Sequence, residues 1–172
     1  MTTKATTYAE LIDACACYVR ETKTTVKEPL TVYRIMSPLF RFQQQESIYI
    51  LLLDAKSRII GAPREITRGL LDSCPTHPRE IFIQAIQAAA AALVVCHNHP
   101  SGDPTPSRED IESTRRLVEA SRIIGIPIFD HVIIGNRFNA DDLPAYISMR
   151  ERNLVSFTSA YATTPTQGAL AI

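Results

Sequence analysis

Apolar positions along the chain switch between a helical and an extended period, and the switches mark out its elements. From Tyr8 to Glu21, Leu11, Ile12, Cys15 and Val19 recur at spacings of three and four, which predicts an amphipathic helix. Thr22 to Glu28 is polar and reads as a connector. After Pro29 the segment Leu30 to Ile35 alternates, which predicts a strand. Ser37-Pro38 then reads as a cap followed by a first-turn proline, opening a short helix through Gln45. Ile48 to Leu53 is a continuous apolar run ending at Asp54, short and rich in β-branched and aromatic residues. It predicts a strand buried on both faces. A turn at Ala55-Lys56-Ser57 and a strand from Arg58 to Ile60 complete a hairpin, with more strand around Glu65 to Thr67.

Pro78-Arg79-Glu80 opens the clearest helix, Ile81 to about Ala91, whose alanine run has the highest helix propensity. Leu93 to Cys96 predicts a short buried strand, followed by a loop from His97 to Pro106. A further helix starts at Ser107, carries Ile111, Leu117, Val118 and Ile124, and stops at Gly125. Ile126 to Phe129 and His131 to Ile134 read as strand. Alternating helices and strands predict an α/β sandwich with a central sheet. The chain divides into an N-terminal helix and connector (1–28), a main domain (29–152) and a tail (153–172) rich in Ser, Thr, Ala and Gly.

Composition narrows the function classes. With 172 residues, 45% hydrophobic and 21% charged, the chain suits one globular domain with a real core. Lys and Arg total 18, as do Asp and Glu, so the chain is neutral and lacks the summed field of a non-specific nucleic-acid or membrane binder. No apolar run reaches the length that spans a bilayer, and the N-terminus leads into polar sequence rather than a secretory signal. A cytoplasmic protein is the expectation. Of the four cysteines, Cys15 and Cys17 stand one residue apart in an apolar stretch and read as small buried side chains. Cys74 and Cys96 stand alone, and none has CxxC spacing. Strand alternation points Cys96 away from His97 and into the core.

The segment His97 to Asp110 carries the candidate chemistry. In extended backbone, side chains at i and i+2 share a face, so His97 and His99 can converge on one ion. Asp110 lies on the first turn of the next helix, within reach of that ion once the loop folds back. Two imidazole nitrogens and a carboxylate oxygen fill three corners of a tetrahedron and leave the fourth for water, the pattern of a catalytic zinc site. Ser107-x-x-Asp110 is equally a helix start, with serine as N-cap and an acidic residue near the positive end of the dipole. Spacing leaves the cap and ligand readings side by side. His77 reads as a surface loop residue, and His131 as a hydrogen-bonded core histidine or one that orients a ligand.

His97-x-His99, seven residues, then Ser107-x-x-Asp110 resembles the JAMM signature of the JAB/MPN metallopeptidases. The wider string Pro78-Arg79-Glu80-Ile81-Phe82, His97 to Gly102, Pro106-Ser107 and Asp130 to Gly135 is similar to the RadC branch of that family. The likeness runs from about Leu30 to Ile147. It implies a cytidine-deaminase-like α-β-α sandwich around a mixed, curved sheet, and a Zn²⁺-dependent hydrolase of peptide or isopeptide amides. It further implies His97, His99 and Asp110 as ligands, and Ser107 as a residue that holds or polarises the site by bonding the reacting oxyanion. The general base of such sites is a glutamate at the head of a strand, which here points to Glu46. Glu80, at a helix N-terminus, is its competitor, and Glu65 a weaker one.

The implied partner is a peptide or protein substrate, its identity and the oligomeric state being left open. Longer RadC-type proteins carry a helix-hairpin-helix region that grips nucleic-acid backbones, and no such module is expected in this chain. The alternative function is a DNA-repair-associated accessory or interaction module with a mainly structural metal. It predicts salt-sensitive DNA binding, which the zero net charge argues against.

Overall fold

The computed structural model describes residues 24–41, 43–69, 77–135 and 145–157, with residues 7, 9, 10, 12–14 and 17 of the N-terminal segment. The described residues of the predicted N-terminal helix from 9 onward are helical, and Ile12 packs against the core. Cys17 is exposed on it, which corrects the expectation of a buried thiol, while Cys15 and Cys74 lie outside the described residues.

The first named helix, α1 (Pro29–Phe40), overturns the strand predicted at Leu30 to Ile35. Its buried residues are Val32, Ile35, Met36, Leu39 and Phe40, an i, i+3, i+4, i+7, i+8 stripe that a six-residue alternating window conceals. Pro29 occupies the first turn, where a missing N–H costs nothing. Pro38 does not start a second helix but lies inside this one. It deprives the Arg34 carbonyl of its donor one turn before the end, a loss offset by burying Leu39 and Phe40 just beyond it.

Strand β1 (Ser47–Leu53) is buried at every position, as its unbroken apolar run predicts. The predicted return at Arg58 to Ile60 is reduced to isolated bridges, Thr25 with Arg58 and Leu53 with Ile59. Strand β2 (Arg64–Arg68) is the true partner of β1. Helix α2 (Pro78–Gln87) ends earlier than its alanine run suggests. Strand β3 (Ala92–His99) extends past the predicted Cys96 and includes both histidines. Helix α3 (Arg108–Ile124) begins at the Ser107 cap and stops at Gly125, whose φ of 81° is the left-handed conformation that ends helices. Strand β4 (Ile128–Gly135) and a short β5 (Tyr146–Ser148), absent from the sequence reading, complete the sheet.

The five strands lie in the order β2-β1-β3-β4-β5. Only β3 and β4 run parallel, joined through α3, so the sheet is mixed. Tyr49, Leu51, Val94, Cys96, Val132 and Ile134 share one hydrophobic cluster with α1. Ile48, Ile50, Leu93, Val95 and Ile133 share the other with α2 and α3. This is the α-β-α sandwich of the α/β class. No helix among the described residues is long and apolar enough to cross a membrane.

Candidate metal centre

The period-2 alternation of β3 decides where its polar end points. Leu93 and Val95 face α2 and α3, so His97 and His99 face the same way at the rim of the sheet. Antiparallel pairing sets Ile48 opposite His97, and two residues further the chain of β1 brings Glu46 to the same rim and face. The loop after His99 turns back, and α3 starts with Asp110 over the two imidazoles. Three segments distant in sequence thus meet: the head of β1, the end of β3 and the first turn of α3.

Asp110 Oδ1 lies 3.4 Å from His97 Nδ1, and its Oδ2 lies 3.5 Å from His99 Nε2. Glu46 Oε2 lies 4.0 Å from His97 Nε2. The two rings stand edge to face with centroids 4.7 Å apart. Glu46, His97 and His99 each offer a ligand atom within 4.8 Å of the others. Exposure separates the carboxylates: the Asp110 side chain is 15% exposed and that of Glu46 42%. Glu46 therefore opens to solvent, while Asp110 is enclosed.

Hydrogen bonds orient the His99 ring. His99 Nδ1 lies 2.7 Å from the Asp103 carbonyl, which only accepts, so Nδ1 carries a proton and the ring directs Nε2 toward Asp110. Nε2 faces a carboxylate oxygen, an arrangement that takes either a second ring proton or a cation between the two groups. Both nitrogens of His97 are buried without a hydrogen-bond partner. Orphaned buried ring nitrogens are costly unless something binds them. Asp110 meets the two imidazoles with different oxygens, while Glu46, His97 and His99 bring one ligand atom each within 4.8 Å of the others, close enough to share an ion. Two nitrogens and a carboxylate oxygen are also donors of the kind zinc takes. The residues fit the ion that the sequence implies.

Ser107 and Asp110 form a reciprocal capping box. The Asp110 N–H donates to Ser107 Oγ (3.1 Å), and the Ser107 N–H donates to Asp110 Oδ2 (2.8 Å). The Ser107 hydroxyl also donates to Oδ2 (2.7 Å), so its proton is committed to Asp110. One carboxylate therefore both starts the helix and faces the histidines. Burial pushes the Asp110 carboxyl up, but the His99 bond, the His97 charge and the Ser107 bonds outweigh it and hold it well below the usual range. Burial would lower His99, yet its bonds to Asp110 and Asp103 leave it raised. Glu46 is held below its ordinary value, chiefly by His97.

The other candidates lie elsewhere. Glu80 pairs with Arg79 at 3.1 Å on the exposed first turn of α2. Glu65 accepts from Tyr49 Oη and Arg68 on β2. His77 caps α2, its Nδ1 accepting from the Arg79 N–H. Cys96 is buried on the face away from the histidines, and burial raises its thiol.

His131 supports the centre from below. Thr114 Oγ1 gives its proton to the Asp110 carbonyl (2.6 Å), so His131 Nδ1, 2.6 Å away, must donate to Thr114. The unprotonated Nε2 is buried without a partner, and the ring lies 5.8 Å from that of His97. Burial, with the His97 charge adding to it, pushes His131 down to about 3. Nothing in the local sequence gives Thr114 or Asn98 a role of its own at the site. Asn98 lies between the two histidines, where alternation turns it to the opposite face and burial demands partners for its amide.

Residues 26–154 match the RadC-like JAB domain. A UPF0758 protein of Clostridium perfringens strain 13 is 39% identical over 152 residues, covering 85% of this chain and 63% of the relative. A UPF0758 protein of Clostridium botulinum strain Hall is 39% identical over 147 residues, covering 86% and 61%. One from a second Clostridium perfringens strain is 42% identical over 131 residues, covering 76% and 54%. The chain thus spans little more than half to three-fifths of the length of the curated relatives it matches. A match over most of the sequence, taking in every residue that converges at the rim, leads to one conclusion: the chain belongs to the RadC-like JAB domain family.

Proposed function

We propose that this domain is a zinc-dependent hydrolase of the JAMM type that cleaves an amide bond in a peptide or isopeptide. The reading rests above all on His99 Nε2 and the two nitrogens of His97. The His97 nitrogens are buried without a hydrogen-bond partner, and all three nitrogens lie 3.4–4.0 Å from carboxylate oxygens at one rim. His97, His99 and Asp110 would hold the metal. A zinc ion there supplies Lewis-acid polarisation of the scissile carbonyl and lowers the pKa of water to about 7.

The chain's own groups do the rest. Glu46 is held ionised at neutral pH and is the solvent-open carboxylate of the cluster. It takes the proton of the attacking water and hands it to the leaving amine nitrogen. Asp103 holds His99 in the tautomer that turns Nε2 to the ligand position. Ser107 locks the Asp110 carboxylate in orientation.

Zinc titration and hydrolysis of a panel of peptide and isopeptide amides test the assignment on three proteins. The wild-type chain is expected to bind zinc stoichiometrically. Asp110→Asn should weaken binding by at least the roughly 10–100-fold that loss of a mere orienting partner costs, since here a ligand itself is removed. Glu46→Gln should keep the metal within about threefold yet lose about 10²–10⁴ in rate, the usual worth of a general base. A wild-type chain that binds no zinc at neutral pH, or a Glu46→Gln protein that loses it, overturns the scheme.

A further inference from the structure

Glu46 is not inside a regular element. It precedes β1, and its 4.0 Å separation from His97 has to be set by something other than its own strand. The fully buried Asn98 side chain supplies the restraint. Its Oδ1 accepts from the Ser47 N–H at 2.8 Å, and its Nδ2 donates to the Gln45 carbonyl at 3.1 Å. The two backbone groups flanking Glu46 are thus held by one amide, which itself sits between the two histidines. Ser47 Oγ lies 2.7 Å from the same Oδ1, and the Gly69 N–H donates to the Glu46 carbonyl at 2.8 Å.

We propose that Asn98 is the positioning residue of this centre: by clamping Gln45 and Ser47 it sets the Glu46 carboxylate against the imidazoles of its own neighbours. The physical logic is that of a rigid tripod. Strand alternation sends residues 97 and 99 to one face and 98 to the other, so one tripeptide holds two imidazoles above the sheet and the base's backbone below it. A displacement of β3 therefore draws the head of β1 with it, and the two imidazoles and Glu46 move together. An amide is suited to this because it must accept from one backbone group and donate to another. Aspartate can only accept when ionised, and serine is too short to span both. The catalytic use of this placement rests on the reading of Glu46 given above, but the placement itself does not.

The test compares wild type, Asn98→Ala, Glu46→Gln and the double variant, metal-free and with ¹⁵N-labelled histidine, and follows the ring nitrogens of His97 by NMR. Asn98→Ala is expected to move the His97 Nε2 resonance in the same direction as Glu46→Gln, by at least half as much. The double variant should go no further than Glu46→Gln alone, the non-additivity of residues acting through one group. His97 signals unchanged in Asn98→Ala, or two effects that simply sum, overturn the proposal. Should Asn98→Ala fail to fold, Asn98→Asp decides: it keeps the acceptor to Ser47, loses the donor to Gln45, and is expected to give an intermediate shift in the same direction. No shift there overturns the clamp.

Zinc titration of the same proteins separates the two readings. Asn98→Ala should change affinity by less than about threefold, against the 10–100-fold typical when a ligand's own orienting partner is lost. A wild-type chain that takes up no zinc defeats the hydrolase reading, while the NMR comparison still rules on the clamp.

Discussion

At the scale of single residues, the chemistry of the centre comes from protons that neighbours have already claimed. The Asp103 carbonyl takes the proton of His99 Nδ1, and Ser107 spends its hydroxyl proton on Asp110. A second buried carboxyl obeys the opposite balance. Asp130, on the α1 face of β4, accepts from the His131 N–H (2.7 Å), Ser148 Oγ (2.6 Å) and the Arg150 N–H (3.1 Å). Burial nevertheless dominates these bonds and pushes it up to about 6. A carboxyl whose pKa is higher folded than unfolded keeps its proton in the native state after the unfolded chain has released it. Between pH 4 and 6 the native state binds more protons, so this group's contribution falls as pH rises and is spent above about 6. Measured as the difference from Asp130→Asn in chemical denaturation, wild type should lose up to about 3 kcal/mol on going from pH 4 to 7. A difference independent of pH would contradict that balance. At this scale the sequence was partly legible. The shared face of His97 and His99 follows from alternation, and the Ser107–Asp110 box from its spacing. Asn98 and Thr114 were not legible, because their partners, Gln45, Ser47 and His131, are distant in sequence.

Elements show why some segments misled and others did not. The β1 run is apolar on both faces because helices cover both, and its pattern has one interpretation. The α1 segment opens with the β-branched and aromatic residues Thr31, Val32, Tyr33 and Ile35, and only the longer stripe through Phe40 exposes its helical period. Burial against the sheet then overrides local propensity. The end of β3 read as a loop because polar residues begin at His97, yet its ladder with β4 continues through His99, which pairs with Gly135. That pairing brings the following loop onto the strand. A Cβ built on Gly135 would lie 2.2 Å from the Gly102 carbonyl oxygen and 3.1 Å from Pro104 Cδ. The glycine is needed for this close approach. Gly135→Ala has to push away the loop whose Asp103 carbonyl orients His99. It is expected to cost about 1–3 kcal/mol, as overpacking does. It should also weaken zinc binding by about tenfold or more, as a disturbed supporting shell does. A variant that is destabilised but binds zinc like wild type would show that the loop relaxes without moving His99.

Across the whole molecule, the centre ties the sheet rim to α3 by bringing residues 46, 97, 99 and 110 together, so the metal binding proposed above would be coupled to folding. Without a cation the folded state holds two carboxylates and two buried imidazoles together, a polar cluster whose desolvation a bound cation would further offset. A ligand that binds only the folded chain adds stability as RT ln(1 + [L]/Kd), about 2.7 kcal/mol at a free concentration 100 times Kd. For a chain of this length that corresponds to a rise in melting temperature of about 5–10 °C. Protons compete for the same site, since the ligating imidazoles must be neutral. His99 is raised above its usual 6.5, so that competition begins at a higher pH than for a free histidine. The zinc-dependent rise should therefore be full above neutrality and shrink as pH falls through the raised value. Differential scanning fluorimetry with zinc, and with excess chelator, at pH 5.5 and 8 reads both effects. Asp110→Asn should abolish the response at either pH, whereas Glu46→Gln should retain it. A wild-type melting temperature indifferent to zinc at pH 8 would mean that the cluster is held by protons alone, and the metal-centre reading would have to be abandoned.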